Sequence, residues 1–489
     1  MRRASAILTL ALATAAVADD WPMFGHDPQR SGRSQAVFPT TTLTHIWSTP
    51  PPRTLLTYVE GTPYWSCPAV AEVAGRPMVF IGCYDQNVYA FDARDGRQLW
   101  AYITGDAVSA TPVFAVVDGR PMLFVASSDR HIYALDPRPD LPLDAERAIW
   151  KLETFPWAQT VSPSRMANPL MATIDGRQVL FCGVWNNDQS GPRNIQRGEV
   201  IALAPASGKV LWRREIGTGP VNTPCLGSVG GEPALFVPYQ PGAIFAISAR
   251  DGRDLWPQPY SGGEEIYGGL SVAEAQGRQL IFLGGRTAWA YCVEAETGKQ
   301  AWATNVGTWM DSTPAFAVVD GRPLVFFGTY TYFVMACDAR TGEVVWRYRT
   351  RGIIQGSPAI ATMAGEPVVC VNSLDNHVYV LSARDGRFIF RYHLGEFPWS
   401  HFLKGKTIWA SCVVASAGGK ALLVAPSYSG VVHAFACGER DDNAGPPRES
   451  FFDALGEAYT IPLLVLVAAV LAFTFWRLLR TRPGPPPGP

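Results

Sequence analysis

The chain has 489 residues, and its 41 Lys and Arg nearly balance 42 Asp and Glu, for a formal net charge of −1. That balance excludes a global electrostatic field for nucleic acid, and neither a basic helix nor an aromatic RNA-binding signature is present. Forty-six glycines, 40 prolines and 57 aromatic residues (24 Phe, 17 Tyr, 16 Trp) suit many short strands joined by tight turns.

In chain order, residues 1–18 read as a secretory signal. Arg2 and Arg3 precede the apolar "ILTLALATAAV", and Ala16-Val17-Ala18 fits the small-residue cleavage rule, so the mature chain is expected to start at Asp19. A strand-like "LTHIWSTP" follows at 43–50. Then one motif recurs: "FDARDGRQLW" at 91–100, "ISARDGRDLW" at 247–256, "VEAETGKQAW" at 293–302, "CDARTGEVVW" at 337–346 and "LSARDGRFIF" at 381–390. Its last position is held by Trp100, Trp150, Trp212, Trp256, Trp302, Trp346 and Phe390, at a basic spacing of about 44 residues, the length of a four-stranded propeller blade. Within each unit a Pro-containing apolar run, a turn such as "DGRP" (118–121, 320–323), a hydrophobic strand, a polar turn and a third strand precede the motif.

The motif glycine, Gly96 in the first copy, supplies the positive φ of a hairpin turn. Asp92, Asp136, Glu294 and Asp338 precede that turn and are placed to bond its amides. The Trp then falls on the outer strand, where its ring covers the seam between two blades. First strands are expected near Trp65, Ser109, Met166, Val221, Tyr267, Asp311, Gln355 and Trp409, which counts eight units. The eighth, 409–437, lacks an outer strand, and 43–50 supplies it with Trp47 at the joint, closing the ring. The expectation is an all-β, eight-bladed propeller over 19–438 with docking residues Trp47, Trp100, Trp150, Trp212, Trp256, Trp302 and Trp346.

After a polar tether at 439–457, "AYTIPLLVLVAAVLAFTFW" (458–476) carries no charge and matches the length of a membrane-spanning helix. Arg477, Arg480 and Arg482 follow, which places the short tail 477–489 on the cytoplasmic side. The propeller is thus expected on the periplasmic or extracellular side of the cytoplasmic membrane. Nine cysteines include no Cys-x-x-Cys and no adjacent pair. Most read as small buried hydrophobes, with a Cys67–Cys412 disulfide as an alternative.

The pattern Ala-x-Asp-x-x-x-Gly-x-x-x-Trp, complete at 90–100 and 336–346, resembles the tryptophan-docking motif of the PQQ-like, or quinoprotein-type, eight-bladed propellers. "DWPMFGHDPQRSGRS" (20–34) is similar to the start of their secreted members. That family divides into dehydrogenases, which carry pyrroloquinoline quinone (PQQ) with calcium or a lanthanide, and cofactor-free scaffolds resembling the propeller of the outer-membrane β-barrel assembly machinery. The adjacent-cysteine disulfide of the dehydrogenases has no counterpart here, so the resemblance implies the scaffold branch, with no cofactor and a protein partner in the cell envelope. A PQQ-dependent dehydrogenase and a small-ligand-sensing propeller are the alternatives.

Long insertions at 51–64, 153–166, 184–198, 257–266 and 393–408 fall between strands four and one or two and three, connections that share one face. No catalytic or metal-binding residue is assigned. "NNDQ" at 186–189 reads as a polar turn rather than a calcium loop. Trp65, Arg165, Trp185, Tyr267, Asp311, Gln355, Trp399, His401 and Trp409 are the candidate binding residues of the channel mouth and loop face.

Overall fold

The computed structural model describes residues 19–49, 66–142, 145–155, 165–188, 195–262, 265–394, 410–427 and 431–438. The chain divides into two units, 1–439 and 440–489, and the second lies wholly outside the described residues. The signal segment 1–18, and with the second unit the tether, the apolar stretch 458–476 and the tail, lie outside the described residues. Among the described residues no helix is long and apolar enough to cross a membrane.

Eight sheets form the blades of a propeller, each ordered from an inner to an outer strand. The first blade shows the pattern: Ala69–Val73, Arg76–Gly82, Asn87–Asp92 and Gln98–Ile103, antiparallel throughout. Ring closure is as the sequence predicts, with Leu43–Ser48 pairing antiparallel with Val432–Cys437 as the outer strand of the eighth blade. The inner strands start four residues later than expected, at Ala69, Val113, Leu170, Cys225, Ser271, Ala315, Ala359 and Val413. The four residues before each strand do a different job. They form a belt in which the backbone N–H of one blade donates to a side chain of the next: Cys67 to Thr111 Oγ1 (3.2 Å), Thr111 to Asn168 Oδ1 (2.7 Å), Thr313 to Ser357 Oγ (2.9 Å), Ser357 to Ser411 Oγ (2.7 Å) and Ser411 to Cys67 Sγ (3.1 Å). Cys67 and Cys412 are free thiols, as are the other seven cysteines. Cys67 thus joins the ring ends as a hydrogen-bond acceptor, and no disulfide links it to Cys412.

The tryptophans make the outer joint. Each indole N–H donates to a carbonyl of the next blade: Trp47 to Ala93 (2.9 Å), Trp100 to Pro137 (3.1 Å), Trp150 to Pro205 (2.8 Å), Trp212 to Ala249 (3.4 Å), Trp256 to Ala295 (3.0 Å), Trp302 to Ala339 (2.9 Å) and Trp346 to Ala383 (3.0 Å). The motif glycine has a second duty beyond its turn. Gly342 takes φ 75°, and a Cβ there would come within 2.7 Å of the Trp302 ring, so the preceding blade's indole lies where a side chain would be. Trp256 departs slightly from expectation, since it precedes an outer strand reduced to Tyr260–Ser261. The joint between blades seven and eight holds Phe390 instead, edge-on to Phe435 at 6.1 Å.

Residues 19–34, which carry no repeat, thread the channel. Their backbone meets the inner strand of nearly every blade in turn. Trp21 exchanges two hydrogen bonds with Val70, and the carbonyls of Pro22, Pro28, Gln29, Ser31 and Gly32 accept from Phe114, Leu226, Val272, Phe316 and Ile360. Asp19 accepts from Ser416 of the eighth blade. The third blade is reached by Arg30, whose Nη2 donates to Pro169 O at 2.9 Å while Nε reaches Pro224 O at 3.3 Å and Nη1 the Phe24 carbonyl. Arg30 is wholly buried, and desolvation lowers its pKa to about 10. Arg33–Phe38 then adds a parallel fifth strand inside blade seven, an element the sequence does not announce.

Two histidines are placed to contribute opposing pH dependences to the stability of this assembly. Burial, with His45 nearby, pushes His433 down to about 3. The unfolded chain therefore binds a proton near pH 6.5 that the fold refuses, and stability falls as pH drops from about 6.5 toward 3. At His26 burial opposes the charge, but the hydrogen bond to Asp19 at 3.1 Å and the Asp27 carboxylate 3.8 Å away outweigh it and raise the pKa to about 9. That contribution is complete below about pH 6.5 and disappears as pH rises through 9. Denaturant midpoints should peak near pH 6.5, with His26→Gln flattening the alkaline limb and His433→Gln the acid limb. A midpoint constant from pH 5 to 9 would contradict both assignments.

Candidate functional site

Tyr267, Asp311 and Gln355 occupy equivalent places, four residues ahead of the inner strands of blades five, six and seven. The fold brings these three together through residues from the neighbouring short loops. Arg286 follows the second strand of blade five, where its backbone N–H donates to Glu265 O at 3.0 Å. Its guanidinium carbon lies 3.4 Å from the centre of the Tyr267 ring and 5.3 Å from that of Trp309. Nε and Nη2 donate to the two oxygens of Asp311 at 3.3 and 3.2 Å. Burial works against the charge on Arg286, and the hydrogen bond and charge of Asp311 prevail, so its pKa is raised.

Protons in the next layer follow from chemistry alone. An ionised Asp311 only accepts, so the Tyr330 hydroxyl donates to Oδ2, at 2.5 Å. Having donated, the phenol oxygen accepts, and Gln355 must turn its amide nitrogen toward it. Gln355 Oε1 is then left buried without a partner. Burial and Asp311 together push the Tyr330 hydroxyl up to about 12, so the proton stays on oxygen. Trp309 stands edge-on to Tyr330 at 5.6 Å and is 48% exposed. The result is a charge-compensated pair, Arg286 with Asp311, walled by aromatic rings and topped by an open indole.

The remaining expected residues distribute differently. Trp185 sits on blade three, half-buried, with its indole N–H donating to Thr218 O at 3.2 Å. Arg165 pairs with it in register on the extra strand Arg165–Met166. Trp65, Trp399, His401 and Trp409 lie outside the described residues. The stretch 184–198 is largely an extended hairpin rather than a loop: Asn186, Asn187 and Asp188 pair with Arg197, Gln196 and Ile195. The turn expected at "NNDQ" is thus strand through Asp188, because its hydrogen bonds go to the partner strand. Sequence reasoning missed Arg286, Trp309 and Tyr330. Their signal was present in short turns, "GGRT" (284–287), "GTWM" (307–310) and "TYTY" (329–332), which lack the length that singled out the long insertions.

PQQ with calcium, which the family resemblance raises, needs oxygen ligands for the metal and cationic partners for a polycarboxylate quinone. Of the carboxylates at the described mouth connections, Asp311 is already bonded to Arg286 and Tyr330, and Asp85, Asp129 and Asp375 each accept from a tyrosine hydroxyl of their own blade, Tyr89, Tyr133 and Tyr379. Among the described residues no group of three or more His, Cys, Asp or Glu converges. The described residues do not fit the pair.

Removing Arg286 should expose the energetics of the site. Arg286→Met leaves a nearly fully buried carboxylate without its cation, a loss of about 3–5 kcal/mol by analogy with broken buried pairs. The double variant Arg286→Met/Asp311→Asn should recover most of it. A denaturation cycle showing simple additivity would contradict the pairing.

The family model described as outer membrane protein assembly factor BamB matches residues 196–292 and 286–433. No curated protein matches the chain. Among solved structures, the quinohemoprotein alcohol dehydrogenase of Comamonas testosteroni aligns at 14% identity over 87% of this chain and 81% of its own, with a TM-score of 0.61. A europium-containing methanol dehydrogenase aligns at 13% identity over 86% and 99%, TM-score 0.59. BamB from Moraxella catarrhalis aligns at 16% identity over 82% and 99%, TM-score 0.50. At such identities these likenesses speak for the fold alone.

Proposed function

We propose that this chain, a propeller of PQQ-like, BamB-like repeats, is a non-catalytic binding scaffold that is exported, held to the membrane by 458–476, and engages a protein partner through the mouth face of blades five and six. One observation carries the reading. Five large aromatic side chains stand exposed among the described residues: Tyr84, Trp289, Trp309, Tyr332 and Phe388. Four of them lie at strand two-to-three or four-to-one connections, which share the mouth face, and three of these belong to blades five and six. Trp, Tyr and Arg dominate the energetics of protein interfaces, and exposed indoles grouped on one face are costly to leave in water. The family match to an assembly factor supports the same direction.

The charge economy of the site agrees. Arg286 and Asp311 compensate each other, so blades five and six present aromatic surface over a paired charge, which favours a peptide segment over an ionic cofactor. The test is site-specific photo-crosslinking from positions 289 and 332 in native membranes, with recovery of one defined adduct. Trp309→Ala should reduce that adduct by about tenfold or more, the loss of a hot-spot contact. A probe on the outer face, at Phe388, should give none. Equal yields from both faces would overturn the assignment.

A further inference from the structure

Ring closure brings together a group of side chains that the mouth face does not use. The closing strand Leu43–Ser48 lies beside Val432–Cys437, with Ser48 opposite His433 and His45 opposite Phe435. Residues three apart normally point to opposite faces of a strand. The register shift between His45 and Trp47 inserts one extra residue, exposed Ile46, and so returns His45 and Ser48 to the same face.

Three donor atoms converge there. His45 Nε2 lies 2.8 Å from Ser48 Oγ, Ser48 Oγ lies 3.1 Å from His433 Nδ1, and the two ring nitrogens are 3.4 Å apart. A tetrahedral ion with metal–nitrogen bonds of about 2.0–2.1 Å holds its nitrogens about 3.3–3.4 Å apart. The edge between the two ring nitrogens has that span, and the Ser48 hydroxyl, 2.8 and 3.1 Å from them, closes the triangle as a hydrogen-bonded third corner that an ion would spread. Imidazole binds such ions through a neutral ring nitrogen, and each ring turns one nitrogen into the triangle. Ring orientation is fixed by packing on strands, since His45 stacks on Tyr392 at 5.4 Å with planes 6° apart and meets Phe435 edge-on. Ser48 is exposed and His45 half-exposed, which leaves an approach from solvent.

We propose that His45, His433 and Ser48 form a site for a divalent late transition-metal ion of the zinc or copper class, with solvent completing its coordination. The ion would pin the N-terminal strand to the last blade, at the seam where Phe390 and Tyr392 replace the docking indole found at the other joints. Imidazole suits these ions and not magnesium or calcium.

The test uses the full-length chain, stripped with chelator and titrated separately with zinc(II), copper(II) and magnesium alone. A single ion per chain is expected for zinc and copper and none for magnesium. The copper(II) paramagnetic resonance spectrum should show coupling to two imidazole nitrogens, which distinguishes this site from the thiols. His45→Gln should weaken affinity by about tenfold or more, while His377→Gln should leave it unchanged. His433→Gln should abolish the two-nitrogen signature; if that core variant does not fold, the half-exposed His45 decides. No saturable binding, or binding that survives His45→Gln, would overturn the proposal.

Discussion

Arg30, wholly buried with its guanidinium spread over the carbonyls of Phe24, Pro169 and Pro224, is the contact through which the channel segment ties blades three and four together. Eight blades meeting at a channel leave their inner strands with unpaired backbone groups facing inward, and buried backbone groups need partners. The segment 19–34 supplies those partners from its own backbone, blade after blade. Where the chain does not reach the third blade with a carbonyl, Arg30 reaches it with a side chain. A buried cation without a carboxylate in contact is costly, and its depressed pKa records the strain. What balances it is the set of carbonyl acceptors of Phe24, Pro169 and Pro224.

Around this axle run two further circuits. The belt of side-chain acceptors joins blade to blade near the mouth, and the indole hydrogen bonds join them at the rim. Each joint is local, so the ring needs its two chain ends brought together once, at Leu43–Ser48 against Val432–Cys437. The axle and the closing strand are parts of the same N-terminal stretch, so closing the ring and filling the channel are one event along the chain. The inferred metal site and the acid-sensitive His433 both sit at this seam.

Much of this was legible in the sequence because repetition amplifies weak signals. The Gly-to-Trp motif fixed blade number, docking residues and closure, since the same geometry has to be met at every joint. The belt was hidden in plain view: its Thr, Ser, Asn and Cys precede a proline or a strand and read as strand starts, but proline has no N–H for a ladder and the residues before it serve the neighbouring blade. The axle was illegible because 19–34 occurs once and has no periodicity to read. Arg286 and Trp309 were missed for a related reason. Their loops are short, and loop length was the guide to function, whereas the site is made by side chains of three consecutive blades that meet only when those blades pack against one another. Tyr267, Asp311 and Gln355 were found because the repeat put them at one equivalent position.

The proposed role rests on an aromatic surface over the paired charges of Arg286 and Asp311 rather than on a site built for a quinone and its metal. The most direct test is titration of the purified full-length chain with PQQ and calcium, followed by absorbance and tryptophan fluorescence. The account predicts no saturable change and no dye-linked alcohol oxidation. Saturable binding at micromolar concentration, with quinone absorbance and turnover, would contradict it and make the mouth of this propeller a redox site.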